Sequence, residues 1–231
     1  MGHQSKDAIF GDVHCKYAVF ILIKYIALKK NRVSVYIDGF NLYFGMIEAG
    51  FIHCKWLDVE KLVKSYLTSN QELIIIKFFT NRISHNPQKQ KRQNAYLEAI
   101  ETTNVKIIYG LHKAKNIECE NCGHNWLVSN EKMTDVNIAT HIIIDAYQDK
   151  YDTAILISGD SDLVPPIKAV HENFSTKSVS VFFPPCRHNN TVAGAAKGSQ
   201  IIGRKKLVDN QFENEILKQD EFVLQKPKEW L

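Results

Sequence analysis

The chain has 231 residues, 29 of them basic and 25 acidic for a formal net charge of +4, and 45% of it is hydrophobic. That is enough apolar material for one large core, excludes wholesale disorder, and permits a polyanionic partner without demanding one. Five cysteines, an odd number in a chain too large to need disulfide staples, favour a reducing compartment, so the expected location is cytoplasmic.

Residues 17–28 (YAVFILIKYIAL) form the first apolar stretch, interrupted by Lys24. It is shorter than the roughly 20 residues a membrane-spanning helix needs. It lacks a small-residue cleavage site and runs into Lys29, Lys30 and Arg32, so it is a poor signal peptide. Residues 1–32 therefore read as an N-terminal extension, helix or strand, packing on the domain or on another subunit, with a peripheral membrane contact as the alternative.

Beyond it, apolar β-branched runs alternate with helical stretches, the pattern of a parallel sheet with crossover helices. Strands are expected at residues 33–37, 73–79, 105–109, 153–157 and 178–183. Helices are expected at 58–67, opened by Asp58 as N-cap; at 87–101, with Pro87 in its first turn; at 135–148; and at 163–171, where Pro165 and Pro166 are tolerated only in the first turn. The 135–148 helix carries an apolar stripe of Val136, Ile138, Ala139, Ile142, Ile143 and Ala146. Residues 111–133 follow neither period and read as a long loop or small insertion. Residues 33–205 make up the main domain. The tail, 206–231, packs back across it with Trp230 as an anchor or forms a subunit interface, which leaves a homodimer open.

Chemistry concentrates in three strings: YIDGFN at 36–41, KMTDVNIA at 132–139 and LISGDSD at 156–162. They place Asp38, Asp160 and Asp162 after strands and Asp135 at the start of a helix feeding a strand. An acid at the C-terminal end of a buried parallel strand points into the crevice where such sheets bind ligands. Four converging carboxylates repel unless protonated or bound to a cation, and an oxygen-loving Mg²⁺ or Mn²⁺ answers that cost. The chemistry expected is phosphodiester hydrolysis by a metal-activated water. Gly39 and Gly159 are expected to let backbone approach a phosphate, while Asn41, Thr134 and Ser158 offer neutral groups to orient a carboxylate, a water or the substrate, and Lys132 adds charge near the cleft. Each has a plainer reading as a turn, cap or solvated residue; Asp38 in particular suits a helix N-cap.

These strings, with EKMTDVNIA from Glu131 and LISGDSDLVPPI from Leu156, resemble the signature blocks of the NYN domain, a branch of the PIN-like nucleases. KWLD at 55–58, KFFT at 77–80, QNAYLEAI at 93–100 and KPKEW at 226–230 are similar to flanking blocks of its bacterial subgroup. The resemblance implies an α/β, PIN-like Rossmannoid fold, a central mostly parallel sheet with helices on both faces. It also implies a Mg²⁺- or Mn²⁺-dependent ribonuclease whose acidic positions fall on Asp38, Asp135, Asp160 and Asp162 and whose first-block asparagine falls on Asn41. The family often has two glutamates before the second-block lysine; this chain has Asn130 and Glu131.

On the substrate side, Lys77, Arg82, Lys89, Lys91 and Arg92 lie on or after the second strand with no acid until Glu98, a candidate phosphate-backbone grip. Phe40, Tyr43 and Phe44 are candidates for stacking on unpaired bases, against a core role suggested by their helical spacing. Single-stranded or loop RNA is the expected partner. Cys119 and Cys122, followed by Gly123 and His124, form half of a structural Zn²⁺ site that His112 or His124 and one further ligand would complete. The alternative there is a loop of reduced thiols. Cys15 and Cys186 read as at least partly buried thiols. Two other functions stay open: a catalytically inactive RNA-binding or scaffold module of the same fold, and a Mg²⁺-dependent phosphatase. The phosphatase needs a second acid two positions after its nucleophile, where this chain has Phe40.

Overall fold

A computed structural model describes residues 30–83, 86–118, 121–218 and 221–230. Ten strands are described, β1 (Asn31–Asp38), β2 (Gln71–Thr80), β3 (Val105–Tyr109), β4 (Leu111–Glu118), β5 (Asn125–Lys132), β6 (Thr153–Ile157), β7 (Ser178–Phe183), β8 (Gly198–Ile201), β9 (Glu215–Leu217) and β10 (Val223–Gln225). The helices are α1 (Gly39–Glu48), α2 (Val59–Lys64), α3 (Pro87–Glu101), α4 (Thr134–Tyr147), α5 (Val164–Asn173), α6 (Asn190–Ala195) and α7 (Arg204–Asp209). All five expected strands and all four expected helices are present within a few residues of their anticipated bounds.

Six strands pair in the order β3-β2-β1-β6-β7-β8, every pair parallel. The chain winds outward from β1 in one direction, then returns to β6 and winds outward in the other. The expected α/β architecture is therefore realised as a doubly wound sheet whose order reverses between β1 and β6, where such sheets open a ligand crevice.

Strand alternation divides the core into two layers. Val33, Val35, Ile37, Ile76 and Phe78 face one side, where α1, α2, α3 and α7 supply Leu42, Met46, Leu62, Leu97, Ile100 and Leu207. Tyr36, Phe79, Leu156, Val179 and Val181 face the other, against Ile138 and Ile142 of α4, Ile167 and Val170 of α5, and Val192 of α6. Strands buried on both faces read as continuous apolar runs, which is why they were legible. The tail adds a satellite cluster in which Trp230 packs on Trp56 and Tyr96 at 6.1 Å between centroids. Helix α7 runs across the anticipated boundary at 205/206, and its Leu207 belongs to the main core.

Three differences from expectation have physical causes. Residues 111–133 are an antiparallel hairpin, β4 paired with β5 from Leu111↔Lys132 to Glu118↔Asn125. A two-stranded ribbon outside the main sheet has no obligatory buried face, so its sequence carries no clean period. β8 was not anticipated because it is an exposed edge strand, GSQI, with no apolar run. The stripe expected on α4 is rotated: Val136 is 61% exposed, and Asp145 is buried in its place.

At the N-terminal edge of the sheet, Arg32 bonds Asp152 and Asp149, and Lys177 pairs with both aspartates, tying β1, β6 and β7 together. No helix among the described residues is long and apolar enough to cross a membrane.

Candidate active site

Asp38 closes β1 at the point where strand order reverses, and it is 5% exposed. One carboxylate oxygen accepts from the Asn41 backbone N–H at 3.0 Å, so Asp38 is indeed the N-cap of α1. The other accepts from Ser158 Oγ at 3.0 Å, across from β1 to the end of β6. The cap and site readings are therefore compatible: capping fixes the carboxylate that the cleft uses.

Ser158 is fully buried and works in both directions, its oxygen accepting from the Asp160 N–H at 3.1 Å while it donates to Asp38. Asn41 Oδ1 accepts from the Gly159 N–H at 3.0 Å, pinning the loop after β6 to α1. Asn189 Nδ2 in turn reaches the Gly159 carbonyl at 3.3 Å. Ser158 thus bonds both Asp38 and Asp160, while Asn41 fixes Asp38 through its backbone and the loop carrying Asp160 through its side chain.

Asp38, Asn41, Thr134, Asp135, Asp160 and Arg187 line one cleft of about 300 Å³, with Phe40, Phe44 and Met133 as its apolar part. Thr134 and Asp135 begin α4, where the helix dipole favours an anion. The residue before them, Met133, has φ of 80°, an uncommon left-handed conformation for a side-chain-bearing residue that turns the hairpin into the helix at the cleft edge. Asp162 behaves differently from the other three acids. It sits exposed on the turn Ser161–Leu163, its N–H donating to Asp160 Oδ1 at 2.9 Å, and it does not line the cleft.

Among the described residues, no three His, Cys, Asp or Glu side chains gather closely enough to hold a metal ion. The donor set is nonetheless all oxygen, on three separate elements around one polar cleft. It suits a Mg²⁺ or Mn²⁺ ion that keeps most of its waters and takes one or two carboxylates directly.

Several expectations are corrected. Lys77 is not available for substrate: it is 4% exposed, paired with buried Asp145 and 3.2 Å from His141 Nδ1. Tyr36, at 2.7 Å, and Lys150, at 3.3 Å, also donate to Asp145. Burial pushes the Asp145 carboxyl up, but the hydrogen bonds from Lys77 and Tyr36 outweigh it and hold the group below its usual range. The two glycines do not make room for a phosphate. A Cβ on Gly159 would lie 1.8 Å from the Arg187 carbonyl, and one on Gly39 would meet the Phe78 ring at 2.6 Å, so the protein's own packing fills both spaces. Cys186 is exposed rather than buried.

Of the expected basic grip, Arg82 stacks over Tyr109 at 4.8 Å and bonds Asn94, while Lys89 and Arg92 line an aromatic cavity adjoining the cleft. Lys132 lies on β5, but its side chain is outside the described residues, as are the side chain of His112 and the whole of Cys119 and Cys15. Cys122 and His124 are exposed at the tip of the hairpin.

Arg187 is the cleft residue that the sequence reading missed. It follows β7, and its guanidinium pairs with Glu48 at the end of α1. The rule applied to the acids, that residues just past parallel strand ends face the crevice, also covers PPCRH at 184–188.

Comparison with known proteins narrows the context. The NYN domain family matches residues 32–197. The chain is 24% identical over 196 residues to a Pseudomonas putida protein named 6-hydroxy-3-succinoylpyridine 3-monooxygenase, an overlap covering 69% of this chain and 62% of that relative's length. It resembles a solved structure of a protein of unknown function from Vibrio parahaemolyticus, with a TM-score of 0.52 and 19% identity over 76% of this chain and 95% of that one. That second likeness is one of fold.

Proposed function

Because the chain belongs to the NYN domain family, whose members are generally nucleases, we propose that it is a metal-dependent ribonuclease hydrolysing RNA phosphodiester bonds in the cleft between β1 and β6. One observation carries the reading: Asp38, buried at the topological switch point with both oxygens fixed by Asn41 and Ser158, shares a cleft with Asp135 and Asp160.

In this reading Asp38 and Asp160 would hold Mg²⁺ or Mn²⁺, which would supply an activated water and charge neutralisation at the phosphate. Asp135 orients the attacking water from the first turn of α4. Arg187 takes the phosphate oxygens, exchanging its surface pairing with Glu48 for a bidentate contact that suits a planar guanidinium. Thr134 contributes a hydroxyl beside Asp135, and Asp162 adds negative charge at the rim from its exposed turn. The substrate is single-stranded or loop RNA, cut endonucleolytically. A Zn²⁺ at the hairpin tip, homodimerisation and a cytoplasmic location belong to the same proposal.

The test is incubation of the purified chain with labelled single- and double-stranded RNA and DNA, with Mg²⁺, Mn²⁺ or a chelator, beside an Asp38→Asn variant. Metal-dependent cleavage of RNA that disappears in the variant is expected. Cleavage that survives either chelation or the substitution would sink the assignment.

A second reading comes from the name of the Pseudomonas relative, oxygenation of a small aromatic acid, and the aromatic cavity lined by Lys89 and Arg92 favours it. Oxygen uptake on adding 6-hydroxy-3-succinoylpyridine with an electron donor tests it. A fold shared by a nuclease family and such an enzyme assigns no chemistry by itself.

A further inference from the structure

The cavity beside the acidic cleft has a volume of about 330 Å³ and lies between α1 and α3. That is within the roughly 300–1,000 Å³ range of small-ligand sites. Its wall is aromatic, with Tyr43, Tyr96 and Trp230 among the lining residues. Phe40 and Phe44 stack on each other at 6.1 Å and border both this cavity and the cleft, so a single aromatic pair separates them. Phe44 is 47% exposed, which a ring serving only the core would not be.

Two cations complete the wall. Lys89 and Arg92 stand one helical turn apart on α3 and both line the cavity. Arg92 pairs with exposed Glu229 at 3.0 Å, and Lys89 makes no ion pair among the described residues. Aromatic faces flanked by positive charge suit a flat heterocycle attached to an anion. An apolar helix or an acyl chain would use the rings and leave the cations without a role.

We propose that this cavity receives one unpaired RNA base, stacked on the Phe40 and Phe44 pair, while the adjoining phosphodiester lies in the acidic cleft and Lys89 and Arg92 take the phosphate on the base's other side. The identity of the polymer rests on the ribonuclease reading. A paired base cannot enter without leaving its stack, so the cavity makes the protein selective for single strands and reads one position as occupied or empty.

Binding without cleavage tests this. Fluorescence anisotropy is measured on the full chain carrying Asp38→Asn, with short single-stranded oligoribonucleotides that are intact or carry one abasic nucleotide at successive positions. An abasic residue at one position is expected to weaken binding roughly 5- to 150-fold, the equivalent of losing one base–aromatic stack. Adding Phe44→Ala, a substitution at an exposed ring, weakens the intact oligomer by a similar factor and the abasic one hardly at all. The proposal is overturned if the chain binds no RNA, if intact and abasic oligomers bind alike at every position, or if Phe44→Ala weakens both equally. It is also overturned if 6-hydroxy-3-succinoylpyridine occupies the cavity and intact oligomers fail to displace it. Metal-dependent cleavage without base discrimination removes the cavity proposal and leaves the ribonuclease. Discrimination in a wild-type chain that cuts no RNA does the reverse.

Discussion

Replacing Ser158 by alanine probes how the cleft holds its acids. The hydroxyl is fully buried and makes two bonds, to Asp38 Oδ2 at 3.0 Å and from the Asp160 N–H at 3.1 Å. A hydrogen bond to a charged group contributes about 1.5–3 kcal/mol and a neutral one about 0.5–1.5 kcal/mol. Water can reach half-buried Asp160 but not the Asp38 side of the bond, so the first figure dominates and the loss should be about 3 kcal/mol. For a chain of this size each kcal/mol moves the melting temperature by roughly 2–4 °C, giving a fall of roughly 6–12 °C. Cleavage should fall about 100-fold in kcat with KM unchanged, because a carboxylate displaced by an ångström loses the reacting geometry while the RNA contacts persist. Urea unfolding of Ser158→Ala, Asp38→Asn and the pair forms a double-mutant cycle, with an expected coupling of about 1–2 kcal/mol. Additive losses, or a Ser158→Ala protein as stable as the parent, would refute the claim that the serine acts through Asp38.

Other substitutions test separate parts of the structure. Lys77→Met leaves Asp145 buried with one partner fewer and should cost about 3–5 kcal/mol in urea, yet leave the RNA affinity of the folded protein unchanged; a loss of affinity alone would restore the sequence-based role of Lys77. Glu48→Gln frees the Arg187 guanidinium, so RNA should bind a few-fold more tightly at low salt and the salt dependence should steepen by about one counterion. Gly159→Ala drives a methyl into the Arg187 carbonyl; we expect about 1–3 kcal/mol of destabilisation and a loss of cleavage that Gly194→Ala, where a Cβ meets nothing, does not share. Acid stability follows from Asp149, held down to about 2 by hydrogen bonds from Arg32 and Lys177, and from Asp152, lowered by its bond to Arg32. A carboxyl depressed in the folded state stabilises fully above its unfolded value of 3.8, and that contribution is lost as pH falls through the folded value. Thermal melts should therefore drop between about pH 4 and 2, below a gentler decline that begins near neutrality, because burial holds the His141 and His171 imidazoles below their ordinary range and charging them costs the folded state. Asp152→Asn should be the less stable protein at neutral pH and should converge on the parent at the acid end.

The sheet was legible because β1, β6 and the second half of β2 are buried on both faces, where few polar residues are tolerated, and because β7 alternates buried Val179, Val181 and Phe183 with less buried neighbours. Helix α3 announced itself through Pro87, the first-turn residue observed, and the structure adds Asn86 as its cap. β8 and the β4–β5 hairpin gave no such signal, since neither owes its pairing to an apolar face of the main core. Helix α1 was hidden differently: its first residues, GFN, drew attention as part of a site string, although Asp38 carried the cap signal for a helix as well.

The site divides along the same line. What the sequence could give was position relative to strand ends, and that placed Asp38, Asp160 and, through the start of α4, Asp135 around one cleft. What it could not give was direction. Lys77 lies three residues before the end of β2, and strand alternation sends it to the face of Tyr36 and Phe79, where Asp145 waits on α4, 68 residues away in sequence. The apolar stripe drawn on α4 hid that partner, because it included exposed Val136 and passed over Asp145, which follows Ile142 by one turn on the buried side. A lysine and an aspartate that each look out of place on apolar faces are, when those faces meet, evidence for each other. Pairing them before assigning either to a ligand would have taken Lys77 out of the RNA grip. The basic candidates left after β2 would then have included Lys89 and Arg92 on α3, the two that line the aromatic cavity.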